Sequence, residues 1–138
     1  MIKWPITFTD YNDVEMTEDF YFNLNKAELA KMQLDANGTY EAYLERISNE
    51  RNLKALGDEF RNLILMSYGQ KSDDGRTFRK NQQLRDDFEQ SAAYSVLFME
   101  LLTDSDKASK FAIGILPKDL QGDVENQMNV PKTLDVVK

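Results

Sequence analysis

Cysteine and histidine are both missing from the 138 residues. Without cysteine there is no disulfide framework, no thiolate metal site and no cysteine nucleophile. Without histidine the commonest general base, the usual transition-metal ligand and the serine–histidine triads are gone. The six glycines stand far apart, so no loop can cradle phosphate as nucleotide-binding motifs do. Long apolar runs are lacking too. The longest, Ala92 to Leu102, contains Glu100 and falls short of the ~18 residues of a membrane span. Met1-Ile2-Lys3-Trp4-Pro5 has one base and no apolar run, so no signal peptide is expected. These absences predict a cytoplasmic protein that is not an enzyme and takes no metal or cofactor.

Positive charge is in short supply: 17 Lys and Arg face 24 Asp and Glu, a net −7. Binding nucleic acid requires cations that displace counterions from phosphate, and anionic membranes select the same chemistry. Neither is an expected partner. What is present is globular in character, with 41% apolar and 30% charged residues. The length argues for one domain, large enough to bury roughly 65–70% of the surface its unfolded chain exposes.

Trp4, Ile6 and Phe8 alternate with Pro5, Thr7 and Thr9, the period of a half-buried strand. After a turn at Asn12-Asp13, Val14, Met16, Phe20, Phe22 and Leu24 share one parity. Glu18 interrupts that face, which predicts a bulge or strand end there. A lone hairpin is marginal in water, so this one must lie on helices. Asn25 with Glu28 fits a capping box, and Thr39 can cap a second helix carrying Tyr40, Tyr43, Leu44 and Ile47. Ser48 or Asn49 can start a third, through Leu53, Leu56, Phe60, Leu63 and Ile64, with Gly69 as its stop. Residues 70–79 read as a polar loop. A long helix is expected from about Asn81 to Leu102, its second half apolar nearly all round and therefore central to the core. Asp104 or Ser105 can cap a last helix, ended by Pro117. Beyond it, residues 118–138 carry no helical stripe and read as a flexible tail. The expected fold is α+β and mostly α: an N-terminal β-hairpin packed on about five helices in residues 1–117, then the tail.

Asp73-Asp74-Gly75 lacks the further ligands of a calcium loop and reads as a turn. Lys71, Arg76, Arg79, Lys80 and Arg85 surround Phe78. A basic stretch with an aromatic is one nucleic-acid signature, but the negative field around it favours a solvated loop or a patch for a protein partner. Asp10, Asp13, Glu15, Glu18 and Asp19 are read as charges that keep strand edges from aggregating.

Several segments together resemble a known family: Ile6-Thr7-Phe8-Thr9-Asp10-Tyr11, Asp19 to Leu29, Leu63-Ile64-Leu65-Met66-Ser67-Tyr68-Gly69, Asp74-Gly75-Arg76-Thr77-Phe78, and Ala92 to Leu102. The pattern, over roughly residues 4 to 116, resembles the tail assembly chaperones of long-tailed bacteriophages. The resemblance implies a protein of the infected host cytoplasm that binds the aggregation-prone tape measure protein and is absent from the finished virion. It also implies the tail tube protein and a frameshifted, longer form of the chain as further partners.

A holding protein needs apolar grooves that accept amphipathic segments, and methionines such as Met66 and Met99 make such surfaces adaptable. The last helix carries apolar residues on more than one face. Ala108, Phe111, Ala112 and Ile115 account for an inward stripe, and Ile113 and Leu116 are expected toward its flank. The candidate partner-binding residues are Met99, Phe111, Ile113 and Leu116. A different function class, an acidic inhibitor that mimics DNA and blocks a host nucleic-acid-binding protein, also suits a negative chain. Such mimics spread acids over one face, whereas here bases are interleaved from Lys26 onward.

Overall fold

The N-terminal alternation builds β1 (Ile2–Thr9), paired antiparallel with β2 (Glu15–Phe22) from Ile2↔Phe22 through Thr9↔Glu15. The computed structural model describes residues 1–36 and 38–122. In the connecting turn the Asp10 carboxylate accepts hydrogen bonds from the backbone N–H groups of Asn12 (2.8 Å) and Val14 (3.0 Å). Asp13 adopts φ 61° there, a left-handed conformation that Asp tolerates better than most residues. Glu18 neither bulges nor ends β2. It stands opposite Ile6 in unbroken register and is exposed, so the charge reaches water without bending the backbone.

The sheet is larger than the expected hairpin. β3 (Tyr68–Lys71) pairs with the end of β2, and β4 (Phe78–Arg79) pairs with β3, in the order β1-β2-β3-β4. Residues 70–79, expected as a loop, therefore form a tight second hairpin. Its turn is closed by side chains: the Ser72 hydroxyl donates to Asp74 (2.7 Å) and accepts from the Thr77 N–H (3.0 Å), and Gly75 takes φ 74°. Gly69 is where the two hairpins meet. A Cβ there would lie 2.6 Å from the Phe78 ring and 2.7 Å from the Arg79 carbonyl oxygen, so only glycine fits without a shift.

Among the described residues the sheet is joined by the helices α1 (Lys26–Ala36), α2 (Tyr40–Ser48), α3 (Leu53–Ser67), α4 (Gln82–Glu89), α5 (Ala92–Thr103) and α6 (Ser105–Gly114). The capping box forms as read: Asn25 Oδ1 accepts from the Glu28 N–H, and Glu28 Oε1 from the Asn25 N–H, both at 2.8 Å. Thr39 caps α2 and Asp104 caps α6. The start of α3 is Asn52, not Ser48 or Asn49. The expected long helix is two, because Ser91 turns its hydroxyl to the Tyr94 N–H and opens a new helix, α5. Residues 118–122 are again helical. Gln121 donates to the Gly114 (3.3 Å) and Leu116 (2.9 Å) carbonyls there, and Leu120 packs against the core. Structure thus continues past the expected boundary at Lys118, and residues 123–138 of the expected tail lie outside the described residues.

The inner face of the sheet rests on α5 and α6. Phe22 sits at the centre, its ring 5.0 Å from Phe111 and 5.9 Å from Phe88, which stacks on Tyr68 at 4.3 Å. Glu100, the one charge in the apolar run, accepts from Trp4 Nε1 (3.0 Å) and pairs with Lys107 (2.8 Å). Backbone bonds from the Leu24 N–H to the Ile115 carbonyl (2.7 Å) and from Asn23 to Ser67 (2.8 Å) tie the exit of β2 to the ends of α6 and α3.

Candidate functional site

Where α2, α3, α6 and the C-terminal end of α5 meet, the helices do not close on one another. They leave a cleft of about 370 Å³. Each wall follows from a helical stripe: Leu44 and Ile47 on α2, Leu56 and Phe60 on α3, Leu102 on α5, and Ala108 on α6. The small side chains of α6 keep the space open, since Ala108, Ser109 and Ala112 face it where larger residues would fill it. Ser48, Glu50, Thr103 and Ser105 form a polar rim. Tyr40 braces the arrangement from below, donating its hydroxyl to the Ala112 carbonyl at 2.9 Å. Burial, the larger cause, and the neighbouring Tyr43 hold the Tyr40 phenol well above the ordinary tyrosine range.

One turn back along α5 from Leu102 the helix shows an apolar face to solvent. Ala93, Leu97 and Leu101 point into the core, whereas Val96 and Met99 are exposed, 37% and 51% respectively. A helix that is apolar all round is normally buried all round. Here one side has no cover among the described residues.

The four candidate residues read from the sequence fall apart on this structure. Met99 is on the open face of α5. Ile113 is half-buried and packs against the core. Phe111 and Leu116 are buried, at 0% and 1% exposure, and neither can meet a partner while the domain is folded. Leu116 lies past the end of α6, in the turn that follows Gly114, and so leaves the helical flank on which periodicity places it. In the sequence the cleft residues Leu56, Leu102 and Ala108 fall within ordinary apolar helical patterns. Nothing local marks them otherwise, because the gap arises where four separate helices meet.

The other candidate clusters resolve into structure. Lys80, from the basic stretch, is nearly buried. Its ammonium reaches the Asn23 (2.6 Å) and Met66 (3.0 Å) carbonyls and both Glu28 oxygens (2.8 and 2.9 Å). Burial lowers its pKa, partly offset by Glu28. Arg85 donates to the Leu65 carbonyl, and Lys71 lies over the Tyr21 ring. Arg76 and Arg79 of the same stretch are exposed. The Asp74 carboxylate accepts from the Arg76 N–H and from Ser72, which lowers its pKa and accounts for it as a turn residue. Among the described residues no group of three or more acids is placed to hold a metal ion, and no helix is long and apolar enough to cross a membrane.

A family model described as phage tail assembly chaperone matches residues 1–137. No curated protein and no solved structure matches the chain. The family match runs through the sheet, the cleft and the open face of α5 alike, and the chain belongs to the phage tail assembly chaperone family.

Proposed function

We propose that this chaperone is a non-enzymatic holding protein of the infected host cytoplasm, that its client is the tape measure protein, and that a helical client segment docks in the cleft between α2, α3, α5 and α6. The observation that carries the reading is the cleft itself, apolar on its walls and polar on its rim, with the exposed Val96–Met99 face one turn away. An amphipathic helix lays its apolar stripe into such a groove and leaves its polar face in water. The net charge of −7 supports the same role, since a carrier of apolar segments must itself resist association. The reading extends to the tail tube protein and a longer frameshifted form as further partners, and to absence from the finished virion.

Co-expression with the tape measure protein tests it. Ser109→Trp fills the cleft from a partly exposed position without removing a core side chain. The expected outcome is a helical circular dichroism spectrum like that of the wild type, with the tape measure protein now in the insoluble fraction. A folded Ser109→Trp variant that still keeps the client in solution would move docking elsewhere. A wild-type chain that never holds this client would remove the client assignment.

A further inference from the structure

We propose that the cleft between α2, α3, α5 and α6 is filled, in the chain without its client, by the chain's own residues 132–138, with Leu134 and Val136 inserted between its walls. This occupant deepens the docking role proposed above, and only the identity of what displaces it rests on that role. Leu56, Leu102 and Ala108 are half-buried on the cleft walls, with no cover among the described residues. Apolar wall left to water favours any apolar side chain that can reach it.

Reach singles out the occupant. Gln121 donates to the Gly114 and Leu116 carbonyls, so the described chain ends beside the last turn of α6. Ala112, two residues before Gly114, already lines the cleft. Residues 123–131 can span up to ~30 Å, whereas the stretch of α6 along the cleft, from Ser105 to Ala112, is only about 10 Å long. The chemistry agrees. Val130 precedes Pro131, which turns that residue away from helical angles. In an extended segment Lys132, Leu134, Val136 and Lys138 share one side, and Thr133, Asp135 and Val137 the other. Leu134 and Val136 then meet the walls, while the flanking lysines reach back to the rim as long cationic side chains do. The one charged residue lining the cleft among the described residues is Glu50, which suits them. A tether this short holds the segment at an effective concentration on the order of 1 mM. A segment that binds at only ~0.1 mM as a free peptide is then docked about nine-tenths of the time, enough to cover the cleft and weak enough to yield to a tighter client.

The absence of cysteine from the chain allows a single thiol to report on the cleft. Ser109→Cys puts it on the α6 wall of the full-length protein. Nine-tenths occupancy predicts that this thiol reacts with a maleimide about tenfold slower than in a chain that also carries Leu134→Asp and Val136→Asp, with the same helical circular dichroism in both. Equal rates would overturn the proposal. A second thiol reads the occupant itself. Ser109→Cys with Leu134→Cys, cysteine being a small hydrophobe, should close an intramolecular disulfide on mild oxidation, a bond that needs Cα atoms within ~7 Å. Ser109→Cys with Asp135→Cys, on the outward side, should close it more slowly. A disulfide that joins two chains would make a second copy the occupant and overturn the proposal, as would the lack of any disulfide or equal rates at the two positions. Neither measurement contains a client, so both can fail while the client assignment stands, and the co-expression test can fail while both succeed.

Discussion

Helices α1 and α5 are 11 and 12 residues long, and each begins on a side-chain cap, yet they are held in opposite ways. α5 runs under the sheet with Ala93, Leu97 and Leu101 at 0–2% exposure. Its fixed position comes from shape, with β1 and α6 pressed against it. α1 depends on a capping box, on the Glu28–Lys80 and Lys26–Asp119 ion pairs and on one buried leucine, Leu29. The difference teaches where this fold is rigid. Packing is non-directional and distributed, so no single contact releases α5. Hydrogen bonds and ion pairs are directional and local, so the hold on α1 rests on a few named groups.

The comparison breaks most severely on the packed side. Leu97→Ala should cost about 2–5 kcal/mol, the range for a buried leucine left as a cavity, seen as a lower urea midpoint for the entire domain. Phe98→Ala should cost less, because Phe98 is only half-buried beside Gly57. If Phe98 proved the costlier of the two, the assignment of the inner and outer faces of α5 would be wrong.

An intermediate effect comes from alkali. Tyr40, Tyr43 and Tyr94 hold their protons above the ordinary tyrosine value of 10.0, burial being the largest cause in each. Unfolded tyrosines ionise near pH 10 while these stay protonated in the fold, so their contribution is full below about pH 10 and is lost as pH rises above it. Lys80 acts with the opposite sign. Its folded pKa lies below 10.5, so the cost of burying its charge is relieved as pH climbs toward that value. Tyr40→Phe should lose about 1 kcal/mol at neutral pH with its bond to Ala112 and then fall less steeply than the wild type. Urea midpoints at about pH 8 and about pH 11 would measure both; parallel falls would place the Tyr40 hydroxyl in water.

The smallest effect sharpens the other side of the comparison. Leu34→Ala, at a position 80% exposed on α1, should change stability by no more than about 0.5 kcal/mol. A larger loss in thermal midpoint would mean that α1 buries a second face.

Local chemistry explains which parts of this fold are legible without coordinates. Asn25 with Glu28, Thr39 and Asp104 announce helix starts because a cap needs only its own next turn. The alternation of Trp4, Ile6 and Phe8 is equally local. The β3–β4 hairpin is hidden because residues 70–79 show no apolar alternation, and its strands are held by backbone bonds and the Ser72–Asp74 turn. The break at Ser91 is masked by an apolar stripe that continues across it, although a serine three residues before Tyr94 is itself a cap signal. Lys80 reads as one base in a basic stretch because its carboxylate partner is 52 residues away. The cleft is the least legible feature, being a gap between helices and not a property of any one of them.

The union of the hairpin with α5 and α6 also sets a schedule for synthesis. Trp4 and its hydrogen-bond acceptor Glu100 are 96 residues apart, and Phe22 waits almost as long for Phe111. At about 5–20 residues per second on the ribosome, the greasy face of β1 and β2 stays uncovered for roughly 5–20 s. A member of a chaperone family thus passes through such an interval itself. The acids at Asp10, Asp13, Glu15, Glu18 and Asp19 are already in place on the nascent hairpin when that interval begins, and charge of one sign disfavours pairing between exposed strand edges.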